Sequence, residues 1–296
     1  MQLICIKKKM KKIKKNNSGF YQVYPTPNKK RLEKYYKEKY FDKNISYKSI
    51  LKPEEENYHK CISAVKIFML NKKIKKLKNK SLLDIGAGQG TFLNNIKMHF
   101  KKCTGVDFSS DNFLKKNKFN IDFISINPED FIKKNDLKKF DIITLNNVLE
   151  HVPDPINLLK KLKLKIKKKT YLILTVPNDF SKLQNETNKK VLKKNYWVSP
   201  PEHLNYFNTQ NFVKFSNKLG FKIVDAISDF PIELFLLKKD FDYTKNPILG
   251  KKIHLLRCEI ISYLENNSSK QLIYEFLKII YKLDIGRDNI YLLQKK

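Results

Sequence analysis

Ser81-Leu82-Leu83-Asp84-Ile85-Gly86-Ala87-Gly88-Gln89-Gly90 decides the fold. An apolar run carrying one acid passes into three glycines within five residues, in a chain that holds only 8 glycines. The pattern predicts a short buried strand turned sharply into a helix through a loop almost without side chains. In such a loop the backbone N–H groups approach a ligand closely, at the positive end of the following helix. The dinucleotide fingerprint Gly-x-Gly-x-x-Gly wants its third glycine one residue later, where this chain has Thr91. The next apolar stretch, Lys102-Cys103-Thr104-Gly105-Val106-Asp107, closes on a second acid, placed to accept hydrogen bonds from a ribose diol. Loop and acid together describe a nucleoside-like ligand.

Outward from this stretch the chain alternates strand and helix. Apolar strands are predicted at 81–85, 102–106, 121–126, 140–145 and 170–176, with helices over Thr91–Phe100 and Asp154–Lys168 between them. Asp154-Pro155 is a helix start, with the acid as cap and proline in the first turn. Asn211–Leu219 reads as a helix, Gly220 as its stop, and Phe221–Asp225 as a sixth strand. A last apolar run, Asn289–Leu293, reads as a seventh, preceded by the turn Asp284–Asp288. Alternation of this kind predicts an α/β fold with a mostly parallel sheet and helices on both faces. Before it, Phe20–Pro27 is extended, Asn28 caps a helix carrying Leu32, Tyr35, Tyr36 and Tyr40, and a second helix over 53–76 shows Ile62, Val65, Phe68 and Met69 on its apolar face. The expected organisation is a basic disordered tail (1–18), an N-terminal helical cap (19–78), a ligand-binding core (79–230), and a helical insertion with the final strand (231–296).

The motifs resemble class I S-adenosylmethionine-dependent methyltransferases. The residues that carry the resemblance are Asp84–Gly90, Val106-Asp107-Phe108-Ser109, Phe140-Asp141-Ile142-Ile143 and Val148-Leu149-Glu150-His151-Val152-Pro153-Asp154-Pro155. The resemblance implies a Rossmann-like seven-stranded sheet whose last strand runs antiparallel beside the sixth. It also implies S-adenosylmethionine as cofactor. Asp84, Gly86, Ala87, Gly88 and Gly90 would then hold its methionine part, Asp107 and Phe108 its ribose side, and Asn127 and Glu129 its adenine, with Asn146 lining it. Pro128 has no N–H to offer the adenine.

Methyl transfer is an in-line displacement, so alignment of the acceptor supplies much of the rate, and a hydroxyl acceptor needs a base. The expected catalytic residues are His203, Glu150 and His151. His203 is the first choice for base because an imidazole titrates near neutral pH. Each has a structural alternative: the Glu-His pair as a device that holds a helix start, His203 as a histidine bonded to backbone. Glu150 and His151 also have metal-ligand chemistry, although no metal site is assigned. Trp197, Glu202, Tyr206, His254, Arg257 and Arg287 are the expected substrate-binding residues. Trp197, Glu202, His203 and Tyr206 share one proline-stiffened loop, and His254 and Arg257 share a helix face. Loop and insertion together resemble, more loosely, a methyltransferase subgroup of bacterial surface-polysaccharide and glycan pathways. This implies a sugar, sugar nucleotide or related metabolite as acceptor. Quinone-precursor O-methylation and an RNA-associated role stand as alternatives.

Composition limits the partners. Net charge is +32, but only Arg31, Arg257 and Arg287 among 61 basic residues are arginine. Specific readers of nucleic acid lean on arginine's planar fork, so no specific nucleic-acid partner is expected. No apolar run is long enough to span a membrane. The four cysteines have no metal-like or paired spacing, which suits a reducing, cytoplasmic setting. Oligomeric state is not legible.

Overall fold

The computed structural model describes residues 12–28, 32, 35, 51–108 and 121–296. The expectations placed on residues 1–11, Arg31, Tyr36, Tyr40 and Ser109 lie outside them. Ten strands are described: β1 (Lys12–Lys15), β2 (Tyr21–Tyr24), β3 (Ser81–Ile85), β4 (Lys102–Asp107), β5 (Asp122–Ser125), β6 (Ile142–Asn146), β7 (Tyr171–Pro177), β8 (Asn205–Tyr206), β9 (Phe221–Ser228) and β10 (Asp288–Lys295). The α-helices are α1 (Pro53–Asn71), α2 (Thr91–Ile96), α3 (Pro128–Lys134), α4 (Pro155–Lys165), α5 (Lys182–Thr187), α6 (Thr209–Lys218), α7 (Pro247–Asn267) and α8 (Lys270–Leu283).

Seven strands make the main sheet, in the order β5-β4-β3-β6-β7-β10-β9. β3 pairs in parallel with β4 and β6, and β6 with β7, as buried apolar strands joined by helical crossovers must. β10 runs antiparallel between β7 and β9, so it flanks both the fifth and the sixth core strands. The strand order turns back between β3 and β6, and ligands of open α/β sheets bind at such a point, beyond the carboxyl ends of the strands.

Side chains alternate across each strand and feed two cores. Leu83, Ile85, Val106, Ile143 and Leu145 face one side, covered by Phe131 of α3, Leu158, Leu159 and Leu162 of α4, and Phe212 and Phe215 of α6. Leu82, Ile142, Ile173 and Leu292 face the other, covered by α1, α2, α7 and α8. α8 buries Ile273, Tyr274, Leu277 and Ile280, the helical spacing of a single stripe. The insertion before the last strand therefore roofs the sheet beside α1. Asp154 caps α4 through the Asn157 N–H at 2.9 Å, as its sequence predicts.

Part of the segment expected as a disordered tail is a strand. Lys12–Lys15 pairs antiparallel with β2, which pairs in turn with β8. Phe20 fills the first core and Val23 a small third one, and this burial gives the hairpin something to hold.

Candidate active site

The glycine loop sits at the carboxyl end of β3. Gly86 has φ +75°, and a Cβ there would lie 2.5 Å from Val148 Cγ2, so the turn and its packing both require glycine. Gly88 has φ +54°, and a Cβ there would meet nothing within 4 Å, so its outer side is open for a ligand. Asp107 ends β4 and accepts the Gly88 N–H at 2.9 Å, which ties the loop to the second acid of the motif. Asp84 is buried in mid-sheet, where its Oδ1 accepts from Thr144 Oγ1 at 2.5 Å and from Asn146 Nδ2 at 3.2 Å. Burial pushes its carboxyl up to about 7, against the pull of these donors and of Lys66.

The loop borders a cleft of about 280 Å³. Ala87 and Gln89 come from the loop, Asn146 and Asn147 from the end of β6, Thr175 from β7, and Tyr58, His59 and Lys66 from α1. Lys66 is buried beneath the cleft, donating to Asn146 Oδ1 at 2.6 Å and Thr175 Oγ1 at 3.0 Å. Burial pulls its ammonium down to about 8, with Asp84 opposing.

The far wall is charged. Asp229, just past β9, accepts from the Tyr58 phenol, from the Phe230 N–H at 2.5 Å and from Arg257 Nη1 at 3.4 Å. The Arg257 guanidinium also lies 4.8 Å from the centre of the Tyr58 ring. Arg257 Nη2 reaches His254 Nδ1 at 3.3 Å, and His254 Nε2 meets Glu55 Oε1 at 3.2 Å. A guanidinium only donates, so His254 Nδ1 accepts and Nε2 carries the proton that Glu55 receives. One chain of polar contacts thus runs from α1 through α7 and back to α1. Asp288, at the start of β10, lines the same wall, and burial raises its carboxyl.

Residues 55–226, more than half of the chain, match the family described as methyltransferase domain. The chain belongs to that family. Its members depend on S-adenosylmethionine, and this chain is an S-adenosylmethionine-dependent methyltransferase domain. It is 32% identical over 130 residues to the ubiquinone biosynthesis O-methyltransferase of Glaesserella parasuis, covering 41% of this chain and 55% of that one. It is 36% identical over 137 residues to the Pelagibacter ubique protein of the same name, covering 43% and 55%. The chain thus spans about half the length of the curated relatives it matches. Among solved structures, a SAM dependent methyltransferase from Archaeoglobus fulgidus is similar at 20% identity and a TM-score of 0.49, covering 80% of this chain and 94% of that one. The strand order, rather than that likeness, fixes the fold.

The cleft of this methyltransferase domain fits the cofactor's chemistry. The open face of Gly88 leaves room for a ligand, and Lys66 is a buried cation suited to a carboxylate. Of the residues expected at the cofactor, Ala87 and Asn146 line the cleft, while Gly86, Gly88, Gly90 and Asp107 build its loop. Phe108 follows directly on Asp107. Asn127 caps α3 by accepting the Glu129 N–H at 2.9 Å, beyond the carboxyl end of β5.

Of the expected acceptor residues, Arg257 lines the cleft and His254 stands behind it. The others lie elsewhere. Trp197 and Tyr206 are buried with Val23, Leu32 and Leu204 in the third core. Arg287 sits in a second buried cluster, 3.2 Å from Glu233 and 3.7 Å from Asp179. Glu202 contributes its backbone carbonyl, which receives His151 Nδ1–H at 2.6 Å.

Glu150, His151 and His203 do come together, with one ligand atom of each within 4.8 Å of the others, an arrangement able to hold a metal ion. Burial pushes the Glu150 carboxyl up to about 8. The Glu150 carbonyl accepts the Leu204 and Asn205 N–H groups, and Asn205 Nδ2 donates to the Leu149 and Val152 carbonyls. The Glu-His turn and the proline-stiffened loop are therefore stapled together, and the cleft lining includes none of the three residues. Sequence reading missed Tyr58, His59, Lys66, Thr175, Asp229 and Asp288 at the cleft. Lys66 is hidden among dozens of lysines, and the others carry no spacing that sets them apart.

Proposed function

We propose that this protein O-methylates a small polar acceptor, a sugar, sugar nucleotide or related hydroxylated metabolite. The observation that carries this reading is the character of the cleft's far wall. Tyr58, His59, Asp229, Arg257 and Asp288 place polar and charged groups suited to a hydroxylated or anionic ligand beside the apolar Ile62, Phe92 and Ile290. Bound S-adenosylmethionine would supply an electrophilic methyl group on a sulfonium. The chain's part is to hold and align. The glycine loop would seat the methionine portion and Lys66 its carboxylate. Asp107 would accept from the ribose diol, and Asn127 and Glu129 would border the adenine. Arg257 would orient the acceptor through a phosphate or carboxylate.

A second reading, O-methylation of a quinone precursor, is favoured by the names of the curated relatives. The Glu150, His151 and His203 set suits a divalent ion that such a reaction can employ.

Two measurements test the proposal. Thermal unfolding with S-adenosylmethionine, S-adenosylhomocysteine and NAD should show stabilisation by the two adenosyl ligands only, about 2.7 kcal/mol at ~100 times the dissociation constant. Asp107→Ala should lose most of that shift. Methyl transfer should then be assayed on a hexose, a uridine diphosphate hexose and 3,4-dihydroxybenzoate. Methylation of the diphenol alone, dependent on a divalent ion, would replace the sugar reading with the quinone one.

A further inference from the structure

We propose that His59 is the general base, taking the proton of the acceptor hydroxyl at the mouth of the cleft. The inference rests on the methyl-transfer reading above. Of the five histidines in the chain, His59 alone lines the cleft that the glycine loop borders. Asp229, Tyr58 and Lys66, which share that cleft, are tied to protein partners. Asp229 accepts from Tyr58, Phe230 and Arg257, and Lys66 donates to Asn146 and Thr175. Asp288 is half-buried at the start of β10, and the neighbouring guanidiniums of Arg287 and Arg257 favour its carboxylate form against the burial that raises its pKa. No hydrogen bond ties the His59 ring among the described residues, and its outer side is exposed to solvent.

The charges around the ring keep it ready to accept a proton. Burial lowers the His59 pKa below 6.5, and the cations Arg257 and Lys66 lower it further. Glu55 on the same helix opposes them, and His254 on α7 adds to them only when protonated. At neutral pH the imidazole is unprotonated, the form a base requires. The step balances. The hydroxyl proton passes to a ring nitrogen while the oxygen's pair forms the bond to the methyl carbon. The carbon–sulfur pair stays on sulfur, leaving a neutral thioether, and the new imidazolium releases its proton to solvent through the open side. Alignment and proton removal thus come from one wall of one cleft.

The test has two arms. In the first, the ring of His59 is titrated by NMR on protein carrying isotope-labelled histidine, assigned with His59→Gln. S-adenosylmethionine carries a sulfonium charge that S-adenosylhomocysteine lacks. A base facing the transferring methyl should therefore show a lower pKa with the first ligand than with the second, while His99, outside the cleft, should not. In the second arm, His59→Gln should bind S-adenosylhomocysteine as wild type does, yet turn over whichever probe acceptor the wild type methylates roughly 10²- to 10⁴-fold more slowly. Its rate should also lose the rise with pH that wild type shows below neutrality. Equal His59 titration with both ligands bound, or wild-type turnover by His59→Gln, overturns the proposal. Failure of wild type to bind either ligand would instead sink the methyl-transfer reading beneath it.

Discussion

Lys66 keeps a charge with little access to water. The Asn146 and Thr175 oxygens and the nearby Asp84 hold the ammonium in place, and even so burial brings its pKa down to about 8. A ligand carboxylate beside it would favour the charged form, so binding and protonation are linked. Affinity for S-adenosylhomocysteine should therefore be level below about pH 8 and fall as the pH rises past it. Lys66→Met should remove the protein's share of that fall. The same change should weaken binding at pH 7 about tenfold or more, the loss of one hydrogen bond to a charged group at roughly 1.5–3 kcal/mol. Calorimetric titration of both proteins across pH 6–10 checks this, and an unchanged affinity in Lys66→Met would remove Lys66 from the cofactor site. The glycine turn and the acid that closes the next strand were legible as elements, and the fold joins them through the Gly88 N–H and Asp107. Lys66 was not legible, since a lysine inside a lysine-rich helix has no mark until the fold buries it.

At the scale of elements, strands announced themselves better than walls. β3, β4, β6, β7 and β9 fall where apolar runs end in polar or glycine residues, and the insertion before the last strand is helical, as expected. What periodicity cannot express is which elements share a space. α1 and α7 lie far apart in sequence, and only the folded chain brings Tyr58 and Arg257 to one carboxylate. Trp197 reads as a substrate residue from its loop's mix of aromatic, acidic and imidazole groups, but the hairpin of β1 and β2 gives it a core to enter. The contact between α1 and α7 can be measured. Asp229 and Arg257 are both buried, so Arg257→Met leaves a carboxylate without its cation, at a cost of roughly 3–5 kcal/mol. Asp229→Asn in the Arg257→Met background should cost little more. Denaturant unfolding of the two single variants and the double should show strong coupling. Additive losses would mean that the pair does not join the two helices.

Across the whole molecule, two kinds of charge act in opposite ways. The net charge of +32 is carried mostly by lysines and should make the chain adhere to polyanions at low salt. The buried carboxylates set how stability varies with pH. Burial holds Asp84 up at about 7, Asp179 at about 7 and Glu150 at about 8. Between the ordinary carboxylate range and these values, the folded chain keeps protons that the unfolded chain has released. Stability is then fully present at the acid end of this window and is lost as pH rises through the folded values. His59 and His254 work the other way below the ordinary histidine pKa, because their lowered pKa values leave the folded chain with fewer protons than the unfolded one. The net expectation is a maximum on the acid side of neutrality and a decline toward pH 8. Glu150→Gln isolates one contributor. The amide keeps the shape of a protonated carboxyl and cannot ionise, so the variant should match wild type below about pH 4, under the unfolded carboxyl's pKa. It should then overtake wild type by roughly a few kcal/mol at pH 8, where burial penalises the wild-type carboxylate. Parallel unfolding curves for the two proteins from pH 5 to pH 8 would show that Glu150 is ionised in the folded chain, as it would be if the site formed with His151 and His203 held a cation in solution.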